Sequence, residues 1–167
     1  MDAKRESLQG GSVVEVRPVG PDDVEREREF ITGLSPQSRR FRFLDTLNEP
    51  SEGLLRRLTS LDPKRDAALA AVDPATGRFV GVARFSREPD GAAEMAVAVT
   101  DAWQHRGIGT LLARRLIAEA RNRGIGWLYS IDPVDNHAMQ RFATRLGFQH
   151  RVNADDASQL TYTLELN

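Results

Sequence analysis

The chain has 167 residues, which is enough for one domain with its own core and short for two. Its 40% hydrophobic and 28% charged residues and formal net charge of −1 lack the positive excess typical of nucleic-acid or anionic-membrane binding. The absence of cysteine excludes disulfides, a thiolate nucleophile and cysteine-ligated zinc. The histidines show no metal-ligand spacing, so we expect no metal.

The sequence contains neither a membrane helix nor a secretion signal. No stretch approaches the roughly 18 apolar residues that span a bilayer, and the N-terminus has no apolar signal core. We therefore expect a cytoplasmic protein with no nucleic-acid or membrane partner. The basic residues are nearly all arginine, with Lys4 and Lys64 as the lysines, so a catalytic lysine is not expected.

The first half of the chain predicts strands, short helices and a hairpin. Residues 1–11 are polar and are expected to be flexible, and alternation over 12–19 predicts a strand. Helical spacing then predicts helices over residues 22–34 and 51–58. Two strand segments separated by turn residues predict a hairpin over residues 67–72 and 79–85.

Residues 35–44 begin with a turn signal and continue as arginines interleaved with aromatic residues. One interpretation is a short helix whose phenylalanines pack inward and whose arginines are solvated. The functional interpretation is a wall of the groove that binds the acceptor substrate.

The second half opens with a strand from about Glu94, predicted by alternating Met95, Val97 and Val99. From Ile108 the apolar period becomes helical, which predicts a helix over about 107–123. We then expect a strand over 127–131, which Asp132-Pro133 breaks, and a helix over 136–147, capped by Asp135 or Asn136. The last two segments, 148–152 and 160–166, are expected to form an antiparallel pair.

A glycine-bearing turn joins the strand at Glu94 to the long helix, and it is suited to binding phosphate. The first N–H groups of a helix have no partner inside it, and the helix dipole places positive charge there. Gly107 and Gly109 lack a Cβ, so a pyrophosphate can approach the main chain closely. The alternative is an ordinary turn before a buried helix, because short glycine motifs are weak signals.

The context of this turn carries a resemblance to a known family. Gln104-x-x-Gly107-x-Gly109, after a strand and before a helix, resembles the acyl-CoA pyrophosphate loop of the GNAT superfamily of N-acetyltransferases. Asn136 followed by Leu146-Gly147-Phe148 resembles the later motif of that family. Residues 35–44 and the Glu94-x-Ala96-Val97 segment look most like the catalytic domain of Pat-type protein lysine acetyltransferases.

The resemblance implies a single α/β (α+β) GNAT domain over residues 12–167. We expect a mixed, mostly antiparallel sheet of about seven strands flanked by about four helices. The implied activity is direct acetyl transfer from acetyl-CoA to a primary amine, with a protein lysine as the preferred acceptor. The protein is expected to be a monomer or a homodimer.

The resemblance also implies a cofactor site along the strand and the turn. We expect the main chain of Val97 and Val99 to pair with pantetheine, and an N–H near Val97 to stabilise the oxyanion. Arg106 is a candidate to add charge at the pyrophosphate. The expected acetyl-CoA site is Val97, Val99, Gln104, His105, Arg106, Gly107, Ile108, Gly109, Thr110 and Asn136.

Glu94 is the candidate general base. A lysine amine has a pKa of about 10.4, so at neutral pH it is mostly protonated and a base must take its proton. Glu94 occupies the position that resembles the catalytic glutamate of Pat-type enzymes, and we expect it to be partly buried, as befits a carboxylate base. The alternative is a solvated glutamate at the start of a strand.

One position departs from the family pattern. Many GNAT enzymes place a tyrosine four residues before the glycine of Leu-Gly-Phe, where it protonates the departing thiolate; here that position is Ala143. The only tyrosines, Tyr129 and Tyr162, lie outside that motif. Protonation by water, assistance from Ser130 and slow transfer all stay open.

Two other functions stay open as well. The acceptor could be a small amine such as a polyamine, an amino acid or an antibiotic, although the cluster Arg39, Arg40 and Arg42 weakly disfavours a cationic one. A non-catalytic acyl-CoA-binding or regulatory module is the third possibility, and Ala143 is the feature that favours it.

Overall fold

The computed structural model describes residues 2–44 and 49–167, which form eight β-strands and five α-helices. The strands are β1 Lys4–Ser7, β2 Val13–Pro18, β3 Asp66–Val72, β4 Phe79–Arg87, β5 Ala93–Val99, β6 Trp127–Pro133, β7 Gln149–Val152 and β8 Gln159–Glu165. The helices are α1 Val24–Gly33, α2 Pro36–Phe43, α3 Glu52–Thr59, α4 Ile108–Asn122 and α5 His137–Arg145. Short 3-10 turns span Pro21–Asp23 and Asp101–Trp103.

All eight strands form one mixed sheet in the order β1-β2-β3-β4-β5-β6-β8-β7. The helices cover both faces: α4 and α5 pack on one, and α1 and α3 on the other. The interior strand β3 is buried on both sides, because Leu69 and Ala71 face α4 while Ala70 and Val72 face α1 and α3. The expected α/β fold with a mostly antiparallel sheet is therefore confirmed, with one strand and one helix more than anticipated.

The parallel pair β5 and β6 separates almost at once. Its register contains only Ala93 opposite Leu128 and Glu94 opposite Tyr129. Beyond that point β5 stays paired with β4 as far as Val99, while β6 continues along β8. The sheet therefore splits into a V-shaped cleft that begins at Glu94.

The structure corrects two expectations about strands. Lys4–Ser7 lies in the segment expected to be flexible, yet it pairs with β2, and Glu6 forms an ion pair with Arg115 of α4; Met1 lies outside the described residues. β6 runs through Asp132 and Pro133 instead of breaking there, because both residues pair with β8. A proline is tolerated where its missing N–H faces an unpaired edge, as at the cleft.

The predicted helix boundaries are largely confirmed by their caps. Ser35 accepts a hydrogen bond from Ser38 N at 3.1 Å, and Ser51 accepts one from Leu54 N at the same distance. Asn136, not Asp135, caps α5, since its Oδ1 accepts from Met139 N at 3.1 Å. These bonds satisfy N–H groups that a helix leaves unpaired at its start.

Gly81 of β4 fixes how closely α4 approaches the sheet. A Cβ at Gly81 would lie 2.8 Å from Ile108 Cγ2 and 3.2 Å from Leu112 Cδ1. We expect Gly81→Ala to lower the free energy of unfolding by about 1–3 kcal/mol, because overpacking displaces the helix. Urea denaturation measures this; Gly20→Ala, whose Cβ has open space, is the control, and equal midpoints would contradict the prediction.

Candidate active site

The split between β5 and β6 forms a cavity of about 490 Å³. Helix α2 closes one side, and the starts of α4 and α5 close the other. Glu94 lies where the two strands separate, and Gly109 lies at the start of α4. The lining residues are Gln37, Ser38, Phe41–Leu44, Glu94–Val99, Asp101, Gln104, Gly109, Ser130–Asp132, Asn136, Ala138, Met139 and Phe142.

Strand β5 offers backbone groups to this cavity. Thr100 N donates to Val80 O at 2.9 Å, so the even-numbered residues of β5 direct their N–H and C=O groups toward β4. Val97 and Val99 therefore direct theirs away from β4, toward the cleft. Gln104 Nε2 donates to Val99 O at 3.1 Å, which confirms that this carbonyl points to the open side.

The start of α4 lies at one end of the cleft. Gly107 adopts φ +87° as the N-cap, a conformation that favours glycine, and no side chain caps the helix. A Cβ at Gly109 would lie 3.5 Å from the Phe142 ring and 3.7 Å from Val99 Cγ2, so this residue lies against the cleft wall. Within residues 2–44 and 49–167, no side chain occupies the first N–H groups of this helix, which is the arrangement that binds anions.

The side chains of this turn differ in what they can contribute. The Arg106 guanidinium donates to Ser12 Oγ at 3.1 Å and to Ala102 O at 3.2 Å, and lies 4.6 Å from the Trp103 ring centroid. These contacts hold the guanidinium in place but are made to neutral groups, so the contribution of its charge at a pyrophosphate stays a prediction. His105 is exposed, Ile108 is buried in the core and Thr110 is half-buried. We therefore assign this turn a main-chain contribution.

Glu94 differs from expectation in its burial. Its side chain is exposed instead of partly buried. It lies at the end of the cleft where β5 and β6 separate, which we call the mouth of the cleft. Burial raises the pKa of nearby Tyr129 to about 12, and the negative charges of Glu94, Glu88 and Asp90 act in the same direction. This end of the cleft therefore carries a negative potential suited to a cationic acceptor.

Arg42 of α2 opposes this potential inside the cleft. Burial lowers its pKa to about 10, and the neighbouring charge of Arg84 acts in the same direction. The charges of Glu27, Glu94 and Asp132 oppose both effects. Arg42 is half-buried and lines the cleft near acidic side chains, so at this position the interpretation of residues 35–44 as solvated arginines holds only in part.

Helix α2 is attached to both sides of the cleft. Ser38 Oγ donates to Asp101 Oδ1 at 3.2 Å, next to the turn before α4. Arg40 Nη2 lies 2.8 Å from Asp135 Oδ2, next to the start of α5. The two contacts hold α2 across the cleft as its wall.

The β6 side of the cleft carries a buried polar pair that sequence analysis found only in part. Ser130 Oγ donates to Asp132 Oδ2 at 2.7 Å, and both residues line the cavity beside Asn136. Asp132 was missed because its Asp-Pro sequence indicates a strand end. The alternation of Leu128, Ser130 and Asp132 on one face was the available signal.

The described residues meet the requirements of neither a metal site nor a membrane-spanning helix. Over 2–44 and 49–167, no group of three or more His, Asp or Glu side chains could hold a metal ion. None of the helices in the same ranges has the length and apolar character needed to cross a bilayer.

Comparison of the sequence with known proteins identifies a family and relatives of this chain. The acetyltransferase (GNAT) family model matches residues 36–148. Acetyltransferase PA5475 of Pseudomonas aeruginosa is 38% identical over 164 residues, covering 96% of this chain and 88% of that protein. Acetyltransferase Pat of Mycolicibacterium smegmatis is 34% identical over 134 residues, which cover 79% of this chain and 40% of that longer protein.

Solved structures agree as well. The crystal structure of the GNAT domain of S. lividans PAT superposes with a TM-score of 0.90 at 26% identity, covering 98% of this chain and 97% of that one. The yncA protein of Salmonella typhimurium, solved with its cofactor acetyl-CoA, shares the fold at a TM-score of 0.67 and 23% identity, covering 92% and 94% of the two chains. The chain belongs to the acetyltransferase (GNAT) family and is an acyltransferase.

Proposed function

We propose that this protein transfers an acetyl group from acetyl-CoA directly to a primary amine, with a protein lysine as the preferred acceptor. The observation that carries the proposal is the continuous cleft from the uncapped start of α4, along the open edge of β5, to Glu94. Such a cleft can hold a phosphate at one end and a reacting carbonyl at the other.

Different residues would hold the different parts of acetyl-CoA. The main-chain N–H groups over residues 105–110 would meet a diphosphate, and the backbone of Val97 and Val99 would meet an extended pantetheine. The N–H of Gln104 is already used, since it donates to Asp101 O at 3.3 Å. Asn136 is 9% exposed and caps α5, so a hydrogen bond from its amide to pantetheine is compatible with its structural role. The bound thioester supplies the activated acetyl group.

Glu94 would accept the proton of the attacking amine. Its carboxylate is exposed at the cleft mouth, where an amine can approach from solvent. A main-chain N–H near Val97 would donate to the developing oxyanion, an interaction worth roughly 3 kcal/mol in other enzymes. The chain has no cysteine, so no thiol acyl-enzyme is available and transfer is direct.

Three observations support a protein lysine as the acceptor. The similarity to the Pat-type domains covers both the α2 segment and the β5 segment that line the acceptor end. Glu94 is also exposed, so a lysine side chain carried on a protein surface can reach it. The acidic surroundings of Tyr129 suit the charge of a lysine before it is deprotonated.

A single assay tests the proposal. The protein is incubated with acetyl-CoA and a mixture of lysine-containing proteins and small amines, free thiol is followed, and acetylated products are identified by mass spectrometry. We expect thiol release coupled to lysine acetylation. Products confined to small amines would instead select a small-molecule acetyltransferase. Saturable binding without thiol release would select a non-catalytic acyl-CoA-binding module.

A further inference from the structure

Ser130 and Asp132 form a buried polar pair on the wall of the cleft. The two residues are 7% and 8% exposed, and their oxygens lie 2.7 Å apart. Burying a hydroxyl and a carboxyl carries a desolvation cost that one short hydrogen bond offsets only in part. A pair kept at the surface of a reactive cleft is a candidate for proton transfer.

The pair lies beside the space that Ala143 leaves. Ser130 and Ala143 line a common void of about 10 Å³ between β5, β6 and α5. Ser130 also lines the main cleft, so this residue borders both the cleft and the position where many relatives carry a tyrosine. A hydroxyl contributed by β6 can therefore replace a phenol contributed by α5.

Neither tyrosine of the chain occupies this place. Tyr129 lies on the opposite face of β6, among Glu88, Asp90 and Glu94. Tyr162 is fully buried, does not line the cleft, and its hydroxyl has no hydrogen-bond partner among the described residues. Of these three residues, only Ser130 lines the cleft.

The surroundings of Asp132 favour a carboxyl that can hold and release a proton. Burial raises its pKa, and the charge of Glu94 acts in the same direction. The hydrogen bond from Ser130 and the charge of Arg42 oppose this. Tyr162, from β8, is a further titratable group near Asp132; burial raises the pKa of that tyrosine to about 12, and the negative charge of Asp132 acts in the same direction.

We propose that Ser130, backed by Asp132, protonates the departing thiolate of coenzyme A. The inference rests on the proposed acetyl transfer. In the reacting state Asp132 is the protonated acid, so the hydrogen bond of the resting pair is reversed and the carboxyl O–H donates to Ser130 Oγ. As the C–S bond breaks, sulfur takes the proton of Ser130 Oγ, and Ser130 Oγ takes the proton of the Asp132 carboxyl. An ammonium acceptor loses two protons on its way to the amide: one passes to solvent before the attack, and Glu94 takes the other as the C–N bond forms. Solvent then carries the proton of Glu94 back to Asp132. Protons therefore balance over the cycle without a further reactant.

The first test compares kcat for acetyl transfer in three variants. Ser130→Ala removes the hydroxyl and Asp132→Asn removes the proton source, so each is expected to lower kcat about 100-fold, the low end for general acid catalysis. Ser130→Thr keeps a hydroxyl and is expected to retain most of the activity. Ser158→Ala, in the exposed pair with Asp156, is the matched control and is expected to behave as wild type.

The second test separates proton donation from a structural role. A selenolate is a much weaker base than a thiolate, so it departs without needing a proton. With acetyl-seleno-coenzyme A as donor, we expect the kcat deficit of Ser130→Ala to disappear. We also expect the alkaline decline of kcat in the wild type to be present with the thioester and absent with the selenoester, a comparison that needs no folded variant.

The outcomes are distinct. If the wild type is active and Ser130→Ala has the same kcat with acetyl-CoA, proton transfer from Asp132 through Ser130 (the relay) is wrong, while the proposed acetyl transfer stands. An equal deficit with thioester and selenoester also overturns the relay, because it indicates a packing role. If the wild type releases no thiol with any amine, the proposed function itself fails, and the relay fails with it.

Discussion

Replacing Glu94 by glutamine is expected to lower kcat about 100-fold at neutral pH. General base catalysis by a positioned carboxylate commonly contributes at least this factor. Glutamine keeps the size of the side chain and its exposed position at the cleft mouth but cannot accept the proton. Steady-state kinetics with acetyl-CoA and the identified acceptor measure the effect, and the KM for acetyl-CoA should change little because the proposed cofactor contacts lie elsewhere in the cleft.

The matched control is Glu88→Gln. Glu88 is a neighbouring carboxylate near Tyr129 that does not line the cleft, so its removal tests the general loss of negative charge. We expect this variant to stay close to wild type, and we expect the pH profile of kcat/KM to change only in Glu94→Gln. Equal small losses of kcat in both variants would show that Glu94 is not the general base and contributes only to the electrostatic potential of the cleft.

Replacing Gly109 by tryptophan is expected to abolish measurable acetyl-CoA binding. A side chain at Gly109 starts 3.5 Å from Phe142 and must extend into the space along the first turn of α4. Loss of two hydrogen bonds between main-chain N–H groups and phosphate, each worth about 1.5–3 kcal/mol, weakens binding at least 100-fold. Isothermal titration calorimetry with acetyl-CoA measures this change.

Gly33→Trp is the control for this substitution. Gly33 ends α1, is exposed, and has open space where a Cβ would lie. It therefore introduces the same bulky residue away from the cleft and should leave affinity and thermal unfolding unchanged. Unaltered acetyl-CoA affinity in Gly109→Trp, in a protein that unfolds at the wild-type temperature, would show that the start of α4 does not hold the cofactor.

Arg42 and Asp132 show why the charge distribution of the cleft was not predicted from the sequence. They are 90 positions apart in the chain, and each influences the pKa of the other. Spacing within a helix or strand predicts which residues share one face of that element, but it carries no information on which elements meet. Arg42 consequently looked like one of several solvated arginines, and Asp132 like the end of a strand.

The sequence by itself determined the features that depend on neighbours along the chain. Apolar periodicity predicted α4 and β5, local hydrogen-bonding residues predicted the caps at Ser51 and Asn136, and the strand, glycine turn and helix order indicated the family. These features follow from local backbone geometry and side-chain spacing.

Only the tertiary structure decided the features that require distant segments to pair. The pairing of Lys4–Ser7 with β2, the continuation of β6 through Pro133, and the separation of β5 from β6 each depend on the partner strand. The same pairing exposes Glu94 and buries Asp132, although both are acidic residues of strands. A strand's hydrogen bonds are completed by another part of the chain, so its extent and the burial of its side chains are properties of the folded sheet.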